Sequence, residues 1–303
     1  MENSSAITDN KKPIQLLFCT LHPPGGQLTY LSAINIFVSI TAILGNTMIL
    51  VALHKESSLY PPSKLLYRCL ATTDLLVGLI LEPSLTAYYV LLATEQGSSN
   101  LCFHSVAIAA VSFTTLSAVS LLTMTTISVD RLLALLLGLR YRHIVTLRRV
   151  RALIASYWIL SLGFAVMTNW EFAFAKIYSY TLIFICILAS LFCYLKIVFT
   201  LRQNQLQQLQ PNGILFNITR YRKTVATAIW VEVTLIACYL PYSIVIAIVT
   251  IHGPSLFLDA VWQSTVSLLC LNSSFNPVLY CWRIKEVKQE VKNTIKQFLC
   301  LSN

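Results

Sequence analysis

The sequence predicts an all-α membrane protein: a bundle of seven transmembrane helices followed by a short amphipathic eighth helix. Three observations support this prediction: the composition, seven long apolar runs and an uneven distribution of basic residues. Of the 303 residues, 56% are hydrophobic and 11% are charged, and the mean hydropathy is +0.69. Soluble domains carry about 25% charged residues and cannot bury so much apolar surface. The composition therefore excludes a soluble enzyme, a disordered chain and a disulfide-rich secreted scaffold.

Seven stretches of the chain are long enough to cross a bilayer as helices, which takes about 20 apolar residues each. The division between the fourth and fifth stretches is the least distinct, because only a few residues around Asn169 separate them. The runs cover approximately residues 28–53, 64–93, 100–134, 150–170, 177–201, 224–251 and 257–282.

The 22 Lys and Arg residues are divided unevenly between the two sides of this predicted bundle. Lys11, Lys12 and Lys176 fall on one side and the other 19 fall on the opposite side. Because cytoplasmic loops carry the excess of basic residues, the N-terminus is predicted outside and the C-terminus in the cytoplasm. The expected organisation is an extracellular tail at 1–27, a transmembrane domain at 28–282 and a cytoplasmic segment at 283–303.

The net charge of +10 comes from basic residues that lie mostly on the predicted cytoplasmic side, so it gives no reason to expect nucleic-acid binding. Basic residues at a cytoplasmic membrane surface contact anionic lipid, and a cytoplasmic protein partner could use the same residues. The location is therefore predicted to be the plasma membrane, with several passes.

Residues 284–298 after the seventh run have the pattern of a basic amphipathic helix lying along the membrane interface. Lysines occupy much of the surface that the apolar positions leave. Those apolar positions recur at helical spacing and are Ile284, Val287, Val291, Ile295 and Phe298.

Two modification sites are predicted at the ends of the chain. Asn3-Ser4-Ser5 is a glycosylation sequon on the predicted outer side. Cys300 follows the amphipathic helix and is a candidate for palmitoylation, the alternative being a free cytosolic thiol.

Charged and amide side chains inside the apolar runs are candidate sites, because a charge in the bilayer interior costs several kcal/mol. Asp74 lies deepest among them, within an otherwise apolar run. Polar residues at similar predicted depth could surround it, and their oxygens suit a small hard cation such as Na⁺, or a hydrogen-bond network without an ion. These are Ser120, Asn272, Ser273 and Asn276.

Seven short motifs follow one another along the chain. In chain order they are Leu44-Gly45-Asn46, Leu70-Ala71-x-x-Asp74-Leu75, Asp130-Arg131-Leu132, Trp158, Tyr194, Cys238-Tyr239-Leu240-Pro241 and Asn276-Pro277-Val278-Leu279-Tyr280. Each motif alone is weak, whereas several in the right order are specific. Together they resemble the class A, rhodopsin-like G protein-coupled receptors, and the resemblance extends over nearly the whole chain.

The resemblance implies a receptor that binds an extracellular ligand and promotes nucleotide exchange on a heterotrimeric G protein, without chemistry on the ligand. It implies that Arg131 leaves Asp130 to meet the G protein and Tyr194, and that Tyr280 swings inward. Pro241 would kink the sixth helix and so let its end move outward. Asn276-Pro277 would belong to the same switch. The set around Asp74 matches the family's sodium pocket, so Na⁺ is expected to favour the inactive state.

The disulfide differs from the family's usual pattern. The third-helix cysteine normally bonds the second extracellular loop, yet that predicted loop contains no Cys. Cys102 lies about one turn before the family position, and Cys19 is the other clearly extracellular cysteine. The hypothesis is a Cys19–Cys102 bond, with two free thiols as the alternative.

The resemblance also narrows the ligand. The seventh run has no lysine for retinal, Phe113 replaces the aspartate of amine receptors, and Ile246 replaces the asparagine of adenosine receptors. A peptide or lipid-like ligand is therefore favoured. By position, the ligand pocket would include Glu82, Phe113, Tyr239, Tyr242, Trp262 and Gln263.

Two other functions remain open on the sequence. One is a receptor-like protein that signals without a ligand or does not signal. The other is a transporter or channel, although no internal repeat of the kind typical of transporters is evident.

Overall fold

The structure is a computed structural model in which seven long helices pack side by side. It describes residue 19 and residues 25–57, 59–96, 99–168, 172–208, 218–253, 255–283, 287–293 and 296. At residues 25, 168, 172–177, 204–208, 218–229, 231, 232, 256, 282 and 283 it describes the backbone alone.

The helices begin and end within a few residues of the predicted apolar runs, except that α5 and α6 extend further at their polar ends. In chain order they are α1 (Gly25–Lys55), α2 (Pro61–Ala93), α3 (Asn100–Leu137), α4 (Leu147–Thr168), α5 (Phe172–Gln208), α6 (Ile218–His252) and α7 (Leu256–Arg283). A 3₁₀ turn at Gly138–Arg140 and a short helix at Tyr141–Ile144 connect α3 to α4.

Six of these helices, α1 to α6, contain segments long and apolar enough to cross a membrane. The seventh, α7, is not among them because its sequence carries many amide and hydroxyl side chains. Those side chains are buried inside the bundle, where the neighbouring helices cover them; they include Gln263, Ser267, Asn272, Ser273 and Asn276.

Helix contacts give the order in which the bundle closes. The α3 helix packs against α2, α4 and α5, and α6 packs between α5 and α7. The α1 helix packs against both α2 and α7, which brings the first and last helices together. The two ends of the bundle are called below the Cys102 end and the Arg131 end, after the residues that α3 carries near its own two ends.

The α2 helix contains an irregularity that the sequence analysis did not predict. Residues Val77–Leu81 form a π turn, in which the Glu82 N–H bonds the Val77 carbonyl five residues earlier. Pro83 follows directly and has no N–H to donate, so regular α-helical bonding cannot continue unchanged there. A π turn inserts one residue and so rotates everything beyond it around the helix axis.

The predicted eighth helix is described in part. Residues 287–293 are helical, Val287 is fully buried and Val291 packs against the same core. Lys288 and Lys292 are exposed on this segment. The full predicted extent of 284–298 includes residues that lie outside the described part of the chain.

Candidate functional site

The residues predicted as an activation switch include Asp130 and Arg131, which lie near the Arg131 end of the bundle. Asp130 is buried and its carboxylate is held by two hydroxyl groups from other segments. Tyr141 donates to Oδ1 at 2.6 Å, and Ser63 of α2 donates to Oδ2 at 3.0 Å. The two hydroxyl groups lie 3.1 Å apart, so Asp130, Tyr141 and Ser63 form a closed triangle that ties α3 to α2 and to the following short helix.

Arg131 has two partners at this end of the bundle. Its Nη2 lies 3.7 Å from Asp130 Oδ2, which is an ion pair longer than a hydrogen bond. Its guanidinium lies 5.5 Å from the ring centroid of Tyr67, within cation–π range. Tyr67 in turn meets Tyr280 edge-on at 5.5 Å between ring centroids. Arg131 is thereby connected to α7 through one aromatic ring.

A cavity that is partly open to the surroundings lies between the aromatic switch residues. Its empty volume is about 350 Å³, and Tyr67, Tyr194, Asn276 and Tyr280 are among its lining residues. The Tyr194 hydroxyl accepts a hydrogen bond from Ser128 of α3 at 3.0 Å. Tyr194 and Tyr280 therefore face one space between α2, α3, α5 and α7.

The polar set around Asp74 is buried in the middle of the bundle. Asp74, Ser120, Asn272, Ser273 and Asn276 are each at most 5% exposed. Asn276 Nδ2 donates to Asp74 Oδ2 at 2.8 Å. Among the described residues, Asp74 Oδ1, Ser120 Oγ and Asn272 Oδ1 have no hydrogen bond of normal geometry. Buried oxygens without hydrogen bonds, one of them from a carboxylate, are suitable ligands for a Na⁺ ion.

The motif residues of α1 and α7 hold those two helices in close contact. Asn46 Nδ2 donates to the Ala42 and Ser273 carbonyls at 2.9 and 3.0 Å. A Cβ atom on Gly45 would lie 2.8 Å from Pro277 Cγ, so the glycine lets the proline ring pack against α1. Pro277 in α7 and Pro241 in α6 both lie inside their helices.

A pocket lies between α3, α5, α6 and α7, nearer the Cys102 end. Its empty volume is about 420 Å³, which includes space open to the surroundings. Phe113 and Tyr242 pack at 5.4 Å between ring centroids. Of the predicted ligand-pocket residues, Phe113, Tyr239 and Tyr242 line it. None of its described lining residues is charged; the polar groups are hydroxyls, including Thr114, Ser117, Tyr178 and Ser179.

The other three predicted pocket residues lie elsewhere. Trp262 is half-buried beside Tyr242, which it contacts through its side chain. Glu82 and Gln263 are fully buried on the side of the bundle formed by α1, α2 and α7. The structure therefore separates the predicted pocket residues into an aromatic group at the pocket and two buried polar residues away from it.

The remaining predicted residues fall at the two ends of the chain. Cys19 and Cys102 are joined by a disulfide, with their Cα atoms 6.2 Å apart. Ser99 caps the start of α3 by accepting a hydrogen bond from the Cys102 N–H. Asn3 and Cys300 lie outside the described residues.

Sequence reasoning missed several residues that contact the predicted switch. Ser63, Tyr67 and Tyr141 hold Asp130 and Arg131, yet each is an ordinary hydroxyl or aromatic residue near a predicted helix end. No spacing rule links them to Arg131. An available signal was the position of Ser63 and Tyr67, which lie four residues apart on one face of α2.

The comparison with protein families identifies the class. The chain matches the 7 transmembrane receptor (rhodopsin family) model over residues 45–171 and 165–280, and it belongs to that family. It is accordingly a multi-pass receptor of the plasma membrane, and its relatives are receptors rather than enzymes.

Individual relatives are distant but match over most of the chain. Adenosine receptor A2b of Gallus gallus is 24% identical, with 90% of each chain covered. Melanocortin receptor 5 of Mus musculus is 24% identical over 88% of this chain and 84% of its own. The high-affinity lysophosphatidic acid receptor of Xenopus laevis is 25% identical over 86% of this chain and 80% of its own.

Proposed function

We propose that this receptor couples an extracellular ligand to nucleotide exchange on a heterotrimeric G protein. The supporting observation is the connected arrangement of Arg131, Tyr67, Tyr194 and Tyr280 around one cavity at the Arg131 end. In the active state Arg131 leaves Asp130, and Tyr194 and Tyr280 approach each other across the cavity. The α6 helix pivots at Pro241, because a proline inside a helix removes a backbone hydrogen bond.

The proposed orientation places the Cys102 end outside and the Arg131 end in the cytoplasm. The basic residues support it, since Arg140, Arg142, Arg148 and Arg149 lie in or beside the connection between α3 and α4. In this orientation residues 284–298 form a helix on the inner membrane surface, with Cys300 as its palmitoylation site. Asn3 is then the extracellular glycosylation site.

Sodium is the proposed allosteric ion of the Asp74 site. Asp74, Ser120, Asn272, Ser273 and Asn276 would hold it, and the ion would supply the positive charge that the buried carboxylate lacks. A ligand that binds one conformation more tightly shifts the equilibrium toward it. Because these residues join α2, α3 and α7 in the arrangement with Arg131 beside Asp130, bound Na⁺ favours the inactive state.

The ligand class that the aromatic pocket favours is lipid-like, or an apolar segment of a peptide. Phe113, Tyr239 and Tyr242 offer apolar surface, and hydroxyl groups offer the hydrogen bonds. An amine would meet no opposite charge among the described lining residues. The three named relatives are receptors for different ligands, so their names alone do not select one.

The experiment that tests coupling is a G protein dissociation panel in cells without added ligand. Wild-type receptor is compared with Arg131→Ala and with Arg151→Ala, an exposed arginine of α4, at matched surface expression. We expect basal dissociation of at least one G protein, lost in Arg131→Ala and kept in Arg151→Ala. Equal signals from all three receptors would contradict the proposed role of Arg131.

A further inference from the structure

A second buried polar group lies between α1, α2 and α7, apart from both the aromatic pocket and the Asp74 set. Asn35 and Glu82 are both fully buried. Glu82 lies eight residues beyond Asp74, so roughly 12 Å further along α2 toward the Cys102 end. This group is not needed for the proposed switch.

The π turn determines where Glu82 points. Eight residues of regular α-helix would rotate it about 80° from Asp74, at about 100° per residue. The extra residue in the turn at Val77–Leu81 reduces the offset to about 20°. Glu82 therefore lies on nearly the same inward face of α2 as Asp74.

The register of α1 against α2 brings Asn35 to the level of Glu82. Ser39 Oγ donates to the Gly78 carbonyl at 2.8 Å. Asn35 lies one turn before Ser39 and Glu82 lies one turn after Gly78. Because α1 and α2 run antiparallel, both residues lie one turn beyond this contact, toward the Cys102 end.

The α7 helix closes the group from the other side. The Cys270 thiol lies beside the Glu82 carboxyl, and Ser267 lies beside Tyr89 of α2. Gln263 lies on the same face of α7 but seven residues before Cys270, roughly 10 Å nearer the Cys102 end. Its Nε2 donates to Asp259 Oδ2 at 2.6 Å, so its amide is held away from Glu82.

Several oxygens of this group lack hydrogen bonds. Within the described chain, both Glu82 oxygens, both amide atoms of Asn35 and Thr86 Oγ1 have no partner of normal geometry. Buried polar atoms are nearly always satisfied, and a buried carboxyl group either takes up a proton or binds a compensating charge. Unpaired oxygens from both α1 and α2 around one carboxyl group favour a bound cation.

We propose that Asn35, Glu82 and Thr86 form a second sodium site. One carboxylate with neutral amide and hydroxyl oxygens suits a hard monovalent cation, because the single negative charge is balanced and oxygen ligands are supplied. Sodium bound here connects α1 to α2 and stabilises the Cys102 end of the bundle. The site is independent of G protein coupling.

Thermal unfolding of the purified receptor tests this site without ligand or G protein. NaCl is titrated at constant ionic strength with choline chloride, for wild type, Asp74→Asn, Glu82→Gln and the double variant. A ligand that binds only the folded state raises Tm in a saturable way. We expect Asp74→Asn to keep a saturable sodium-dependent rise in Tm, and the double variant to lose it.

Two outcomes would overturn the proposal. One is an Asp74→Asn receptor with no sodium response. The other is a response that survives in the double variant. Glu95→Gln in the Asp74→Asn background is the matched control, because Glu95 is an exposed carboxylate at the end of α2 and should leave the response unchanged.

A second comparison serves if Asp74→Asn does not fold. In otherwise wild-type receptor, Glu82→Gln should reduce the total sodium-dependent rise in Tm and leave one saturable phase. Asn35→Ala should keep the phase that Glu82→Gln removes, but should raise its half-maximal sodium concentration several-fold. An unchanged titration in both variants would exclude sodium from this group.

Discussion

At the scale of single residues, the Asp130 carboxylate is bound more closely by two hydroxyl groups than by the neighbouring Arg131. Tyr141 and Ser63 hold both carboxylate oxygens, while Arg131 lies 3.7 Å away and rests partly on Tyr67. The carboxylate is thus kept in place by neutral donors as well as by the arginine. Ser63 holds α3 to α2 and Tyr141 holds it to the short helix that follows, so both donors stabilise the conformation seen here.

Tyr141→Phe removes the shorter of the two hydrogen bonds to Asp130. Hydrogen bonds to charged groups are worth about 1.5–3 kcal/mol, so the inactive arrangement should lose stability of that order. We expect basal G protein dissociation to rise, with Arg131 still required. The measurement is the ligand-free dissociation assay at matched surface expression.

Tyr157→Phe is the control for this variant. The Tyr157 hydroxyl pairs with Thr126 of α3 at 2.7 Å, one helical turn before Asp130. Loss of that hydroxyl should leave basal signalling near the wild-type level. A Tyr141→Phe receptor with basal signalling at or below wild type would show that the hydroxyl does not restrain the inactive state.

At the scale of the helices, the packing of α1 against α2 depends on one glycine. A Cβ atom on Gly78 would lie 2.9 Å from Ile43 Cγ1 and 3.0 Å from the Ser39 carbonyl oxygen. That carbonyl belongs to the backbone and cannot rotate away. The contact also sets the register that brings Asn35 level with Glu82.

Gly78→Ala should therefore destabilise the receptor. Overpacking a tight contact typically costs about 1–3 kcal/mol, because the backbones must move apart. We expect a lower Tm for the purified variant. Gly163→Ala on α4 is the matched control, since a Cβ there meets nothing within 4 Å and should leave Tm unchanged or slightly higher. Equal Tm values for the two variants would contradict the packing argument.

The sequence predicted the positions of the helices because bilayer thickness sets the length of each apolar run. It could not predict the π turn at Val77–Leu81, since that depends on how Pro83 and the α1 contact are accommodated together. The Asp74 set was predictable as a group from its polar residues and the family motifs. Tyr141 and Ser63 were not, because their contact with Asp130 depends on the connection after α3 and on the neighbouring helix.

At the scale of the whole molecule, two restraints hold the N-terminal part of the chain against the bundle. The Cys19–Cys102 disulfide links residues 83 positions apart in the sequence. Gln27 Nε2 donates to the Ala260 carbonyl at 2.9 Å, which fastens the start of α1 to α7. Cys19 is thereby fixed at the Cys102 end of the bundle, where both cysteines are buried.

Removal of the disulfide should lower the stability of the receptor by about 2–4 kcal/mol, since a covalent link restricts the unfolded chain. Cys19→Ser and Cys102→Ser should lower Tm, and the double variant should lower it no further, because either single change already breaks the bond. Thermal unfolding of the purified proteins measures this. Cys238→Ser, at a buried free cysteine of α6, controls for loss of a buried thiol. Additive effects of Cys19→Ser and Cys102→Ser would show that the two thiols act separately, and native receptor in which both can be alkylated would exclude the bond.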